Sequence, residues 1–289
     1  MKKFILSLFI SLLSLTAWSQ SETYDSTATY RIIKSDGTTM LCKIISADAR
    51  ELYLLTEDNR KIYMPQHTIK KIEKVGREEF DATGNYVGED RFATRYFFTT
   101  NGLPIKKGEH YIQWNLFGPD LQFGLGNNVG VGVITSWFGA PVIANVKKTW
   151  KVEENVHVGV GALVGTASWA ALDVGGALPF ASLTFGNRVS NLSFSLGYGS
   201  IWDGDGAGGT SLASIGGITK LSPKFSLVFD SFIIVPNAGG VANTGALIIP
   251  GLRWHQSEGK AFQFGFVGLV SSEGVIPIPI PMVQWYRNL

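Results

Sequence analysis

The chain has 289 residues with 34 glycines, one cysteine and a formal net charge of +2. This near balance of charge gives no indication of nucleic-acid binding, and the single thiol, Cys42, excludes an intramolecular disulfide. The length is sufficient for two domains.

The first twenty residues, "MKKFILSLFISLLSLTAWSQ", have the parts of a secretory signal. Lys2 and Lys3 form a basic segment, Phe4 to Leu15 an apolar segment, and Ala17-Trp18-Ser19 a small-x-small cleavage site. The apolar run is too short to cross a membrane comfortably as a helix. The sequence therefore predicts a signal peptide at residues 1–19 and export of the chain.

Residues 20–76 read as a small β domain. Turn signals at Ser35-Asp36-Gly37, Asp48-Ala49-Arg50 and Glu57-Asp58-Asn59 separate β-rich runs of six to eight residues. Five short strands with tight turns predict a small barrel of the SH3-like or Sm-like type. Modules of this pattern are adaptors more often than enzymes. We therefore expect residues 20–76 to lie in the periplasm and to contact a periplasmic protein or the cell wall.

Residues 77–108 form a connector that is polar at first and then aromatic, at Arg95-Tyr96-Phe97-Phe98. That cluster is too apolar for a free linker. Two outcomes are equally expected: the cluster packs on the rim of a domain, or it enters the interior of the domain that follows.

From residue 109 onward the dominant pattern has a period of two, which is typical of strands. In "LSFSLGYG", the large residues Leu192, Phe194, Leu196 and Tyr198 alternate with serine and glycine, and 30 of the 34 glycines follow residue 100. The small face carries almost no charge, unlike the water-facing side of a soluble sandwich. A closed barrel with its apolar face in lipid and its small residues inside fits this pattern.

Residues 109–289 are therefore predicted to be an all-β, transmembrane antiparallel barrel of an outer membrane. Twelve strands are expected, or ten if residues 109–126 contribute less. An even number places both ends of the barrel in the periplasm. The expected spans are 109–117, 120–126, 128–137, 141–151, 155–165, 177–186, 191–200, 210–220, 224–234, 245–255, 260–270 and 276–287.

Short polar turns and longer glycine-rich loops alternate along this region, as the periplasmic and extracellular rims of a barrel require. The expected loops are 166–176, 200–210 and 235–244. Aromatic residues beside the turns and at the opposite end predict two interfacial girdles. The girdle residues are Trp150, Phe185, Phe225 and Trp254 at the turns, and Trp137 and Trp169 at the loops.

The alternation also places three charged residues in the lumen: Lys147, Asp230 and Arg253. Unpaired buried charge is costly, so these residues must pair or be hydrated. One interpretation is a polar track through the barrel, and the other is a salt-bridged plug. The glycine-rich interior indicates a narrow, packed lumen and favours the plug.

Near the C-terminus, "IPIPIPM" at residues 276–282 has strand periodicity, yet it lacks three backbone donors. The donors of residues i and i+2 point to the same neighbour. Either residues 276–281 pair well on one side only while 282–287 close the barrel, or the stretch leaves the sheet as a polyproline-like loop end.

The stretches "RYFFTTNGLPIKKGEHYIQWN", "VKKTWKVEENVHVGVGALVG" and "FGNRVSNLSFSLGYG" resemble a family of outer-membrane β-barrel proteins of Gram-negative bacteria, in which a small β module precedes the barrel. The resemblance covers roughly residues 91–270. It implies the architecture and implies no activity and no site residue.

The sequence offers little for catalysis or cofactor binding. His110, His157 and His255 are expected near the periplasmic rim, and no nucleophile elbow or zinc spacing is present. "DGDGAGG" at 203–209 predicts a mobile extracellular loop rather than a calcium site. We expect no catalytic, cofactor or metal-binding residue, and outer-membrane lipid as the principal contact.

The expected function is therefore a non-enzymatic outer-membrane barrel with a structural, adhesive or small-solute passage role. Its alternatives are a selective channel or transporter with a hydrated lumen and, less favoured, an outer-membrane enzyme.

Overall fold

The computed structural model describes residues 24–80, 83–235, 245–257, 259–271 and 274–289, with the backbone alone at 275–279. The signal peptide predicted at residues 1–19 lies outside these ranges. The chain forms two compact units that meet between Arg77 and Glu78. The residues expected to form a connector thus belong, from Glu78 onward, to the second unit.

The first unit is a five-stranded antiparallel sheet in the order β4-β3-β2-β1-β5. Its strands are β1 (Tyr30–Lys34), β2 (Thr39–Ala47), β3 (Glu51–Thr56), β4 (Lys61–Pro65) and β5 (Ile69–Lys74). The five short strands, with β5 paired to β1, agree with the predicted small β module. The predicted barrel is not closed, because β4 and β5 are the two edges of the described sheet and do not pair with each other. The core consists of Tyr30, Ile32, Cys42, Ile44, Leu52, Leu54 and Met64.

The second unit is a closed antiparallel barrel of twelve strands, as the period of two predicts. Each strand pairs with the next, and β17 returns to β6. The strands are β6 (His110–Asn115), β7 (Pro119–Gly126), β8 (Val129–Thr135), β9 (Val142–Glu153), β10 (Val156–Thr166), β11 (Gly175–Gly186), β12 (Ser190–Asp203), β13 (Gly206–Ser222), β14 (Phe225–Val235), β15 (Gly245–Ser257), β16 (Lys260–Ser271) and β17 (Gly274–Asn288). In the described part of the chain, no helix is both long and apolar enough to cross a membrane.

The two ends of the barrel differ in their connections. At the turn end, β strands are joined through residues 127–128, 154–155, 187–189 and 223–224. At the loop end they are joined through 116–118, 136–141, 167–174 and 204–205. The loop expected at 235–244 lies outside the described residues from 236 onward.

The loop expected at 200–210 is not a loop. Strands β12 and β13 continue to Asp203 and Gly206 and pair throughout, so that "DGDGAGG" forms the tip of a long hairpin. The Asp203 carboxylate accepts the N–H groups of Asp205 and Gly206 and thereby closes a two-residue turn. The glycines of this stretch can adopt strand as well as loop conformations, and here both strands extend to the turn. The sequence predicted a mobile loop at the same residues.

The outward face of the barrel is apolar. Leu192, Phe194, Leu196 and Tyr198 on β12 all point outward and are 42–69% exposed. Their neighbours Asn191 and Ser193 are buried inside the barrel. The large face of each alternating strand therefore lies outside, and the small face lines the turn-end half of the lumen.

The wall of the barrel has very uneven height. Strands β6, β7 and β8 have six, eight and seven residues, whereas β12 and β13 have 14 and 17. Strand β17 pairs with β16 from Gly274 to Arg287, apart from an irregularity at residues 277–279, but with β6 only over residues 284–288. Among the described residues, 274–283 therefore have no partner on the β6 side, which leaves a notch in the wall above the β6–β7 hairpin.

The proline run belongs to this free edge. Leu289 donates its N–H to His110 at the start of β6, and Asn288 donates to Gly259 on the β16 side. Since donor direction alternates along a strand, the donor that Pro281 lacks lies on the β6 side. Within the run, Ile276, Ile280 and Pro281 pair with β16, and the register shifts between them, so that residues 277–279 have no partner in the described β16–β17 ladder. The stretch therefore belongs to the sheet only on its β16 side, and there with an interruption. Full closure spans 284–288, two residues later than the expected start at 282.

Candidate functional site

The lumen holds a segment of the chain's own backbone, the plug segment, residues 83–107. Its polar atoms bond to residues on β6, β7, β9 and β11–β17, which is possible only from inside the closed barrel. The cluster Arg95-Tyr96-Phe97-Phe98 thus enters the interior, which is one of its two expected positions. Tyr96 and Phe97 are fully buried there.

Arg253 on β15 is a fully buried charge, with no exposed side-chain surface. Its Nη1 donates to Asp90 Oδ2 at 2.9 Å and to the Phe92 carbonyl at 2.9 Å. Its Nη2 donates to the Arg95 carbonyl at 2.7 Å, and its Nε to Gln263. The planar guanidinium fork therefore binds three points of the plug segment at once.

Asp230 on β14 anchors the next turn of the plug segment. Its Oδ2 accepts the N–H groups of Phe97, Phe98 and Thr99 at 3.0, 2.7 and 2.9 Å, and its Oδ1 accepts the Thr99 hydroxyl. Four donors on one buried carboxylate satisfy it without a cation.

Lys147 on β9 binds the far end of the same segment. Its Nζ donates to Thr100 Oγ1 and the Asn101 carbonyl at 2.8 Å, and to the Leu103 carbonyl at 3.2 Å. The three charges predicted for the lumen thus all contact the plug segment, although only Arg253 does so through a salt bridge. A continuous polar track would need these groups to face water instead.

Further charged residues at this site have no counterpart in the sequence-based expectations. Arg188 donates to the Pro104 carbonyl and Lys220 to the Val87 carbonyl, each at 2.8 Å. Asp90, in the plug segment, neutralises Arg253, and Asp120 on β7 pairs with Arg95. The sequence signal for Asp120 is weak, because a charged residue beside a predicted turn is normally solvated. For Asp90 the sequence gives no such signal, because it lies between Glu89 and Arg91 in the polar part of the connector.

Lumen glycines make room for the aromatic rings of the plug segment. A Cβ added to Gly216 would overlap Cδ2 and Cε2 of Tyr96. A Cβ on Gly265 would lie 2.5 Å from Cζ of Phe97. The glycine-rich interior is therefore close-packed, as expected. The glycines of the wall pack against the plug segment and not against the opposite strands of the barrel.

Above the plug segment, toward the loop end, the lumen opens into an apolar cavity of about 820 Å³. Arg95, Phe98, Thr99 and Thr100 of the plug segment form its floor. Inward-facing side chains of the wall include Ile134, Ile143, Leu163, Leu178, Phe180, Leu212, Ile234, Leu247 and Leu269. A further cavity of about 460 Å³ continues from it between β9 and β13.

This cavity corrects the expectation that small residues line the whole lumen. In the loop-end half, the inward face is as apolar as the outward face, as Leu178 and Phe180 on β11 illustrate. The inner half needs small polar residues because the plug segment fills it. The outer half has no such segment, and its wall carries large hydrocarbon side chains.

The barrel histidines lie in the turn-end half, and their geometry is not that of a catalytic triad. Ser226 Oγ lies 2.8 Å from His255 Nε2, and Asp90 Oδ2 lies 3.6 Å from the same nitrogen. A triad requires the carboxylate at the opposite ring nitrogen. Ser226 is also fully buried. Within the described ranges, no group of three or more His, Cys, Asp or Glu side chains could hold a metal ion.

The aromatic residues predicted for two girdles are all on the outside. Trp150, Phe185, Phe225 and Trp254 are 43–45% exposed near the turn end, and Trp137 and Trp169 are 57% and 73% exposed at the loop end. The turn-end band is also longer than expected. Across five neighbouring strands, each aromatic residue of a row is paired with the aromatic residue on the next strand. The row consists of Phe225, Trp254, Phe262, Trp285 and Trp114.

No family model, curated protein or solved structure matches this chain. Its function is therefore inferred from the geometry of the barrel itself.

Proposed function

We propose that this chain is an integral outer-membrane β-barrel protein whose lumen is closed by its own plug segment. The observation that carries the proposal is the outward face of the closed barrel, where large apolar side chains such as Phe194, Leu196 and Phe266 are exposed strand after strand. Soluble proteins rarely expose continuous apolar surface of this extent. In lipid the same surface is favourable, and a closed barrel satisfies its backbone groups internally.

The aromatic bands support the same proposal. Trp254 and Trp285 belong to the turn-end band, and Trp137 and Trp169 lie at the loop end. Indole rings favour the boundary between headgroups and acyl chains, since one edge is polar and the rest is apolar. The two bands come together beside β6, on the short side of the wall, where Trp114 stacks on Trp137 with ring centroids 5.5 Å apart. The resemblance of residues 91–270 to outer-membrane barrels agrees with this interpretation.

The proposed role is structural or adhesive rather than passage of solutes. Arg253, Asp230 and Lys147 hold the plug segment by ten hydrogen bonds to its residues. A channel or transporter would require water to pass this buried network, whose charged groups are already fully coordinated. The selective channel is therefore the less favoured alternative.

The short turns indicate which end faces the periplasm. Outer-membrane barrels have short periplasmic turns and longer extracellular loops. The turn end of this barrel is also the end where β6 begins and β17 ends. We therefore place the turn end, and the first unit with its adaptor role, in the periplasm, with a protein or the cell wall as its partner.

An epitope inserted at the loop end and another at the turn end test location and orientation together. An epitope between Gly204 and Asp205, at the tip of the β12–β13 hairpin, is expected to bind antibody on intact cells. The matched epitope between Pro223 and Lys224 is expected to bind only after the outer membrane is permeabilised. Recovery of both proteins in the soluble fraction would refute the membrane proposal.

A planar lipid bilayer tests closure. The purified protein, folded by the criterion of a heat-dependent shift in gel mobility, is expected to give no conductance. Stable unitary steps of the wild-type protein over a range of voltages would establish the channel alternative.

A further inference from the structure

We propose that the apolar cavity above the plug segment binds a long hydrocarbon chain, and that the notch beside β17 admits it from the surrounding membrane. This inference rests on the proposed membrane location. It adds a ligand class to a barrel that otherwise has only structural features.

The volume and lining of the cavity define the ligand. At about 820 Å³, it lies within the range of small-molecule sites. Its walls are aliphatic and aromatic, represented by Leu163, Leu178 and Leu212. Water in such a space would face apolar surface, and an empty space would forfeit dispersion contacts. An alkyl chain removes both costs, whereas a polar solute would lose its hydration without replacement.

The floor supplies few free polar groups. Arg95 Nη2 pairs with Asp120, and the Thr99 hydroxyl donates to Asp230. Arg95 Nε is buried without a hydrogen-bond partner and is the one free donor among these floor residues. The Thr100 hydroxyl donates to the Thr94 carbonyl and accepts from Lys147. A charged headgroup therefore gains little at the floor. This favours a chain that enters tail first, with its headgroup at the rim.

The notch provides the lateral route. The described lining residues of the cavity come from β8–β16 and the plug segment, with none from β6 or β7. On that side the wall ends at the β6–β7 tip, residues 116–118, and residues 274–283 of β17 have no partner on β6. The opening begins at the level of Trp137, whose Nε1 donates to the Leu116 carbonyl at 2.9 Å, and therefore at the boundary between acyl chains and headgroups that the loop-end aromatic residues mark.

The notch is bordered by apolar side chains that continue into the cavity. Phe98, on the cavity floor, lies 6.3 Å from the ring of Phe117 at the β6–β7 tip, and Phe117 is 62% exposed. Leu116 beside it is 51% exposed. Pro281 has no N–H on this same edge. The edge therefore exposes one unsatisfied donor fewer to lipid. A continuous apolar path therefore runs from the outer surface to the cavity.

Photo-crosslinking from positions on two neighbouring strands tests the proposal in bilayer nanodiscs of dioleoyl phosphatidylcholine. Benzoylphenylalanine in place of Leu212 faces the cavity, and in place of Leu192 it faces outward on the adjacent strand. Mass spectrometry of each adduct identifies the captured molecule. Leu192→benzoylphenylalanine reports membrane embedding, so phospholipid adducts at that position but none at Leu212 would refute the cavity ligand and leave the membrane proposal intact.

Adducts at the Leu212 position are expected, and most are expected to be lost when Ser195→Trp fills the cavity. Leu192→Trp, which places the same side chain on the outside of the same strand, is the control and is expected to leave them unchanged. Added oleate separates the two sources of chain. Phospholipid adducts indicate entry from the membrane, and oleate adducts alone indicate a free fatty acid.

Should the Leu212 variant lack the heat-dependent mobility shift of the folded barrel, Leu163 provides a second cavity position, and absence of adducts there would refute the proposal.

Discussion

Arg253 and Asp90 form an ion pair in which neither side chain has exposed surface, with Nη1 and Oδ2 2.9 Å apart. One partner belongs to the barrel wall and the other to the plug segment. The pair therefore links two parts of the second unit that are 163 residues apart in sequence.

Loss of one partner is expected to destabilise the barrel strongly. Arg253→Met leaves the Asp90 carboxylate buried without a cation, at a cost of about 3–5 kcal/mol in the free energy of unfolding. In the double variant Arg253→Met/Asp90→Asn the uncompensated charge is gone, so the loss is expected to be smaller than in the single variant. The urea midpoint of the folded band in semi-native gels measures both. Lys224→Met, at an exposed turn, is the control, and equal losses in the single and double variants would contradict the assignment.

Removal of the Asp230 carboxylate is expected to loosen the plug segment without removing the barrel. Asp230→Ala deprives the N–H groups of Phe97, Phe98 and Thr99 of their acceptor, and each buried unsatisfied donor costs about 1–3 kcal/mol. Transient conductance in planar bilayers is the expected result, against silence from the wild type. Asp173→Ala, in the exposed 167–174 loop, removes a carboxylate that does not touch the plug segment. A silent Asp230→Ala barrel that retains its fold would show that closure does not depend on this anchor.

The barrel strands could be predicted because their signal is local. Val156, Val158 and Val160 alternate with a histidine and two glycines, and a period of two needs no knowledge of the remaining chain. Side-chain direction follows from the same alternation, which is how Lys147, Asp230 and Arg253 could be assigned to the interior. The choice between a water-filled track and a plug was not local. It depended on where the connector goes.

Two features could not be predicted for physical reasons. The long β12–β13 hairpin contains Gly206, Gly208 and Gly209, and glycine is compatible with both a loop and a paired strand. The cavity depends on strands whose two faces are both apolar in the loop-end half. On such a strand, Leu212 gives no indication of which side it faces until the register with Gly197 is known.

Cys42 is expected to be unreactive while the first unit is folded. The thiol is 2% exposed in the core of the first unit, and burial raises its pKa to about 11. Because thiolate is the reactive form, alkylation by iodoacetamide at pH 8 should be much slower than for the urea-unfolded chain. The unfolded thiol ionises near its ordinary pKa. Its contribution to the free energy of unfolding is therefore complete below that pKa and decreases as the pH rises toward 11. Equal alkylation rates with and without urea would show that the core is open.

Gly216 offers the most direct test of how the plug segment fits the lumen. All three of the atoms that a Cβ there would meet first belong to the ring of Tyr96, whose hydroxyl donates to Asn191 at 2.6 Å. Gly216→Ala should therefore cost about 1–3 kcal/mol by overpacking. In a Tyr96→Ala background the ring is absent, and the same substitution is expected to cost little, so that the double variant loses less stability than the sum of the two single variants. Gly268→Ala is the control, because nothing lies closer than 3.7 Å to its added Cβ. An unchanged cost of Gly216→Ala in the Tyr96→Ala background would mean that the clash is with the barrel wall and not with the plug segment.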